Sequence, residues 1–163
     1  MLYVLEPEVA GGFGEHTKIL EHGDEVLQAK HILHLHYEFE GWLGDELLTT
    51  HPCYLVTERV ADFIQSSGCT GVEFGKVQIS MSETFLELKP GVTLPSFKRL
   101  LPLGSVVLDG DRYTNWSGHD VSSNEKSELV VTDKVLKVLQ PYISNDCIVT
   151  ALQPMDNRQG LKR

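Results

Sequence analysis

The sequence contains no apolar run that approaches the ~20 residues of a membrane-spanning helix. This pattern excludes a helical membrane protein, and no membrane is expected among its partners. The 163 residues are enough for one substantial core. We therefore expect a single domain over residues 1–152 and a frayed tail over residues 153–163, which include Pro154 and Gly160 and end in basic residues.

Cysteine is scarce, and its spacing carries no motif. Cys53, Cys69 and Cys147 are odd in number, and no two of them form a CxxC pair. This spacing argues against a disulfide framework and a zinc ribbon, and it predicts small buried thiols in a reducing compartment. The opening residues MLYVLEPEVAGG also lack the basic start and long apolar core of a signal peptide. We therefore predict a cytoplasmic protein.

Motifs that bind cofactors or activate nucleophiles are missing from the sequence. There is no GxxxxGK[ST], no GxGxxG that opens a helix, and no GxSxG. Phosphate cradles and the serine-hydrolase elbow are therefore excluded, and no cofactor is expected. Three glycines within residues 11–14 instead predict a mobile loop. An enzyme remains an open alternative without a supporting motif.

Basic residues are rare in the first third of the chain. The formal net charge is −9, and residues 1–50 hold ten acidic residues against two lysines. A field of this sign repels nucleic acid backbones and attracts basic partners. We therefore expect no direct nucleic-acid binding. The alternative interpretation is a housekeeping protein whose acidity only keeps it soluble.

What the chain does contain is one strongly alternating stretch, LHLHYEFE at residues 33–40. Strict period two predicts a half-buried strand. We expect one face of this strand to be buried, namely Leu33, Leu35, Tyr37 and Phe39. We expect the other face to be exposed, namely His34, His36, Glu38 and Glu40.

Further strands and short helices are predicted along the chain. Residues 17–21 and 30–40 should form a hairpin, and later strands are expected at residues 53–56, 72–80, 105–108, 128–131 and 147–152. Short helices should begin after Thr57, Ser82 and Thr132, which are good N-cap residues. Two of them lie in similar segments, LVTERVADFIQ and VVTDKVLKVLQ. The fold class is therefore α+β, with a mainly antiparallel sheet and two or three short helices.

The alternating stretch offers two kinds of site. His34, His36 and Glu38 could converge on zinc, iron or manganese, which gives a metal-dependent enzyme as the alternative function. The competing interpretation is a solvated sheet face, and no metal is assigned. Trp42 is either a core residue at the end of the sheet or an exposed anchor within an acidic rim.

Three segments also support a resemblance to known families. The Trp-Leu-Gly-Asp corner at 42–45, Val-Thr-Glu-Arg at 56–59 and Thr-Gly-Val-Glu-Phe at 70–74 resemble a family of small bacterial proteins. The last two segments also resemble immunity proteins of polymorphic-toxin and contact-dependent inhibition systems. The resemblance implies no catalytic residues.

The leading hypothesis is a cytoplasmic immunity-type protein. It would neutralise a basic cognate toxin, a nuclease by expectation, through its acidic N-terminal surface. Its predicted partner-binding residues are Glu38, Glu40, Trp42, Asp45 and Glu46. The oligomeric state is left open.

Overall fold

The computed structural model describes residues 1–155. In this range the α-helices are α1 (Glu58–Ser66), α2 (Glu83–Leu88) and α3 (Asp133–Leu139). The strands are β1 (Leu2–Glu6), β2 (Gly11–Phe13), β3 (Lys18–Ile19), β4 (Ile32–His34), β5 (His36–Phe39), β6 (Leu47–Thr50), β7 (Cys53–Thr57), β8 (Val72–Gly75), β9 (Gln78–Met81), β10 (Phe97–Pro102), β11 (Gly104–Ser105), β12 (Val107–Asp109), β13 (Arg112–Thr114), β14 (Val121–Ser123), β15 (Leu129–Thr132) and β16 (Ile148–Pro154). None of the helices in this range is long and apolar enough to cross a membrane.

The predicted α+β class is confirmed. Strands outnumber the three short helices, and most strand pairs are antiparallel. The predicted strands at 53–56, 128–131 and 147–152 correspond to β7, β15 and β16. The hairpin between residues 17–21 and 30–40 is present as the antiparallel pair β3–β4.

The largest sheet closes into a small barrel. Its strand order is β11-β14-β15-β1-β16-β13-β12. In a flat sheet, strands ~4.8 Å apart would hold these two edges ~29 Å apart. Val106 alone separates β11 from β12, however, and two Cα steps span at most ~7.6 Å. The two edges must therefore meet, with β11 and β12 as two halves of one bent strand.

Side-chain alternation along β1 sorts the barrel interior from its outer face. Leu2 and Val4 point inward, where they join a small cluster with Val106, Val130, Leu152, Leu108 and Tyr113. Tyr3 and Leu5 point outward into a larger cluster, the first core. The first core packs α1 and α3 against the barrel through Val60, Ile64, Val135 and Leu139.

A second core lies between the two remaining larger sheets, β6-β7-β10-β8 and β2-β5-β9. Its buried aromatic centre is Tyr37, Phe39, Phe85 and Phe97. All five residues of β7 are buried. Cys53 and Leu55 belong to the second core, whereas Tyr54 and Val56 belong to the first. Strand β7 therefore separates the two cores and completes both.

Two of the three predicted N-cap residues form the expected cap hydrogen bond. The Thr57 side chain accepts a hydrogen bond from the Val60 amide, and Ser82 accepts one from Phe85, as expected of N-caps. Thr132 precedes α3 but makes no such bond. Its hydroxyl instead donates to Asp120 Oδ1 at 2.9 Å, so the two similar segments differ at this position.

The prediction of one strand over residues 33–40 is wrong. Strand β4 pairs with β3, and β5 pairs with β2 and β9, so the partners change at Leu35. The Thr17 hydroxyl marks this change, because it donates to the His36 carbonyl and accepts from the His36 amide, both at 3.0 Å. Leu35, Tyr37 and Phe39 are buried, as predicted for this face. Leu33 is exposed and His36 is buried, the reverse of the prediction.

Three other local predictions need correction. Residues 11–13 form strand β2, which pairs with β5, rather than a mobile loop. Residues 72–80 are two strands in different sheets, because β8 pairs with β10 and β9 with β5. Strand β16 continues to Pro154, two residues into the segment predicted as a tail. Residues 156–163 lie outside the described range.

Replacement of Gly104 by alanine should destabilise the barrel. A Cβ at this position would lie 2.6 Å from the Val121 carbonyl oxygen and 2.9 Å from His119 Cβ. We expect Gly104→Ala to lower the free energy of unfolding by about 1–3 kcal/mol, measured by urea denaturation. Gly41→Ala is the control, because a Cβ there meets nothing within 4 Å. Equal stability of the two variants would contradict the tight β11–β14 approach.

Candidate functional site

The Trp-Leu-Gly-Asp corner is built around the buried carboxylate of Glu8. Glu8 Oε2 accepts the Leu43 amide at 2.7 Å, and Oε1 accepts the Asp45 amide at 3.3 Å. Burial raises the pKa of Glu8, the backbone amide bonds oppose this, and the charges of Asp45 and Asp146 raise it further. Glu8 therefore fixes the corner through backbone hydrogen bonds.

Asp45 is part of the same buried arrangement. It is 4% exposed, and its Oδ2 accepts the Ser144 amide at 3.1 Å. This bond joins the corner to the loop before β16. Asp45, a predicted partner-binding residue, is therefore buried and not exposed as a rim charge would be.

Glu46 is occupied in a structural ion pair. Arg59 donates to both of its carboxylate oxygens, with Nε at 2.7 Å from Oε1, and the Thr57 hydroxyl donates to Oε1 at 2.8 Å. The Arg59 guanidinium thereby lowers the pKa of Glu46. Arg59 also stacks over the Tyr142 ring, 5.0 Å from its centroid. Glu46, which directly precedes β6, thus joins the start of β6 to the start of α1. No pattern in the sequence indicated this ion pair.

Trp42 is half-buried and packs against the second core. Its ring meets Phe39 and Phe97 edge-on, with centroids 6.2 and 6.1 Å apart. Its indole N–H donates to the Asp45 carbonyl at 2.8 Å. Of the two interpretations of Trp42, the contacts favour the structural one. Glu38 is half-buried and Glu40 is exposed.

Three carboxylates could hold a hard cation. Glu8, Asp45 and Asp146 place one oxygen each within 4.8 Å of one another, and this is the sole group of three His, Cys, Asp or Glu residues so placed within residues 1–155. An all-oxygen set suits Ca²⁺, Mg²⁺ or Mn²⁺. His34, His36 and Glu38 therefore do not converge, contrary to the metal-binding alternative.

The hydrogen bonds of His36 define its tautomer. Its Nδ1 accepts the His16 amide at 3.1 Å, so Nδ1 carries no proton. The other nitrogen, Nε2, must then carry the proton that it shares with Ser80 Oγ at 2.7 Å. A histidine that donates to serine cannot remove the serine proton. The Ser80–His36 pair is therefore a structural contact and not a nucleophile with its base.

A surface that the sequence did not reveal lies on residues 15–34, which we call the ribbon. It comprises β3, β4 and the segment between them. Its exposed apolar side chains are Ile19 (47% exposed), Leu20 (48%), Val26 (65%) and Leu33 (63%). Its exposed carboxylates are Glu15, Glu21, Asp24 and Glu25. Leu33 was predicted to be buried, and no periodic pattern marks the other three.

The ribbon is fixed to the body of the protein by buried polar groups. Arg99, 8% exposed, donates to the carbonyls of Ile32 and Ala29 at 2.8 and 2.9 Å. His31 Nδ1 accepts the Gln28 amide at 2.8 Å, and its Nε2 lies 3.3 Å from Glu25 Oε2. The ribbon therefore presents its apolar side chains in a defined conformation.

Two histidines of the ribbon, His16 and His34, are joined by hydrogen bonds through the side-chain amide of Gln78. Gln78 Oε1 lies 3.0 Å from His34 Nε2, and its Nε2 lies 2.8 Å from His16 Nδ1. These three side chains line an open cavity of about 650 Å³ with Glu15, Thr17, Lys18 and Leu33. The cavity therefore lies between β4 and the edge strand β3.

No family model matches the chain, and no curated protein matches its sequence.

The Glu46–Arg59 pair should make stability depend on pH. An unfolded glutamate titrates near ~4.3, and Arg59 lowers the folded pKa. The stabilisation is therefore complete above ~4.3 and is lost as the pH falls through the folded pKa. We expect Glu46→Gln to cost about 1 kcal/mol at pH 7, because Arg59 is largely exposed, and the difference from the unaltered protein to shrink as the pH falls through the lowered pKa of Glu46.

Urea denaturation at each pH measures this difference. Glu40→Gln, at an exposed side chain, is the control and should show no such difference. If the stability cost of Glu46→Gln did not change with pH, packing and not the charge of Glu46 would be the source of the stabilisation.

Trp42→Ala should destabilise the protein, because its ring packs on Phe39 and Phe97. We expect a loss of about 3 kcal/mol in the free energy of unfolding. The neighbouring Leu43 is 74% exposed, so Leu43→Ala should change stability little. An unchanged stability of Trp42→Ala would restore Trp42 as a candidate binding anchor.

Proposed function

We propose that this protein is a cytoplasmic binding protein that neutralises a basic toxin domain, in the manner of the immunity proteins that its sequence resembles. The observation that carries the proposal is the ribbon, on which four exposed apolar side chains lie among four exposed carboxylates. Exposed apolar patches with polar rims are typical of protein interfaces.

The edge of the ribbon supports the same proposal. Within the described residues, β3 pairs with β4 alone, in a two-stranded sheet. The outer side of β3 is thus open to an added strand from a partner. Main-chain hydrogen bonds would give affinity there, and contacts with Ile19, Leu20 and Leu33 would give specificity.

The exposed negative charge of the first fifty residues supports the proposal of a basic partner. Of the ten acidic residues in the first fifty, six are exposed, namely Glu6, Glu15, Glu21, Asp24, Glu25 and Glu40. Complementary charge steers association and raises its rate. Toxins that cleave nucleic acid need positively charged clefts, so a nuclease is the partner that we propose. The three free cysteines, two of them buried, fit a reducing cytoplasm.

The test uses the C-terminal domain of a protein encoded by a neighbouring gene, chosen because this domain alone arrests growth. Co-expression with the C-terminal domain of the neighbouring gene product should restore growth that this domain alone arrests. The purified proteins should form a complex whose association rate falls as salt rises. Failure to restore growth, or the lack of a complex, would contradict the proposal.

Charge reversal locates the surface within that complex. We expect Glu21→Lys with Asp24→Lys to slow association about tenfold at low salt, measured by surface plasmon resonance. The matched control is Asp62→Lys with Glu87→Lys, which reverses two exposed acids on α1 and α2. Equal effects of the two pairs would show that net charge, and not the ribbon, directs association.

A further inference from the structure

The mouth of the barrel holds a second cavity. Its volume is about 370 Å³, within the ~300–1,000 Å³ of typical ligand pockets. Val4, Val106 and Leu108 line it from the barrel interior. Residues 124–128 line its other side with Asn124, Glu125, Lys126 and Glu128.

The rim of this cavity has an excess of carboxylates. Its lining includes two carboxylates, Glu125 and Glu128, and one cation, Lys126. Strand β1 pairs Leu5 with Leu129, and one further step of this register places Glu6 opposite Glu128. Glu6 and Glu128 also share a smaller cavity of about 280 Å³, which adjoins the first at Val4 and Glu128. Like charges so placed repel each other, and a cation bound between them would relieve this repulsion.

Hydrogen bonds hold the rim in place before any ligand arrives. Asn124 Oδ1 accepts the amides of Glu128 and Lys126 at 2.9 and 3.2 Å, and its Nδ2 donates to Glu128 Oε1 at 3.0 Å. Tyr54 Oη donates to the Ser127 carbonyl at 2.7 Å. Gln28 Nε2 donates to the Glu125 carbonyl at 2.7 Å. A preformed rim reduces the entropy lost on binding.

We propose that the barrel mouth binds an aliphatic cation, namely an ammonium group on a short alkyl stem. The stem packs on Val4, Val106 and Leu108, and the ammonium lies between the carboxylates of Glu125 and Glu128. The apolar floor and the acidic rim each select one end of such a ligand. This proposal does not rest on the toxin partner.

The test is a titration of the ¹⁵N-labelled protein with n-hexylammonium chloride. We expect saturable shifts of the amide signals of residues 106–110 and 124–128. Sodium hexanoate has a stem of the same length with the opposite charge, so it should cause no saturable shift at these residues. Shifts elsewhere, or equal binding of hexanoate, would overturn the proposal.

Variants of the rim test the charge requirement. Glu125→Gln with Glu128→Gln should weaken n-hexylammonium binding about tenfold, because charge-assisted hydrogen bonds are lost. In Glu128→Gln the new amide oxygen can still accept from Asn124, and Glu125→Gln alone, at an exposed side chain, serves if the double variant misfolds. Lys126→Ala should bind at least as tightly as the unaltered protein. Unweakened binding by the glutamine variants would overturn the proposal.

Two sources could supply this chemistry, a free amine or a lysine side chain of another protein. Nα-acetyl-lysine methylamide carries the same ammonium and stem on a peptide backbone. Saturable shifts of residues 106–110 and 124–128 with both probes would support the site and assign it to a protein lysine. Shifts with n-hexylammonium alone would support the site and assign it to a free amine.

Discussion

The burial of β7 on both faces is the constraint on which the rest of the structure depends. Cys53 and Leu55 complete the second core, and Tyr54 and Val56 complete the first. The strand then passes directly into α1, and Thr57 caps that helix while its hydroxyl also bonds Glu46. A strand buried on both faces allows only one register, because a slip by one residue exchanges the two sets. This register therefore determines which side chains of β7 meet the barrel and which meet the sheet β2-β5-β9.

Much of the fold was predictable because its signals are local. The cap residues Thr57 and Ser82 begin helices where the sequence places them, and the continuous apolar run at 53–56 is a buried strand. Each of these signals lies within a few residues of the structure that it specifies. The α+β class follows from the number and length of such segments.

The candidate site was less predictable, because distant residues determine its geometry. Asp45 is buried by Glu8 and by Ser144, the latter 99 positions away, and no local pattern distinguishes it from an exposed acid. The single strand predicted over 33–40 fails for the same reason, since β4 and β5 find partners in different sheets. Residues 15–34 carry no period that marks Ile19 or Val26 as exposed. Barrel closure likewise depends on pairings that join residues far apart in the chain.

The bent strand formed by β11 and β12 has a consequence for how the barrel fluctuates. Its first half hydrogen-bonds β14 and its second half hydrogen-bonds β13, with Val106 as the sole residue between them. Detachment of this one segment therefore breaks both seams of the barrel at once. The amide hydrogens of β13 and β14 that bond to it, although these strands are not neighbours, then exchange with solvent as one cooperative unit.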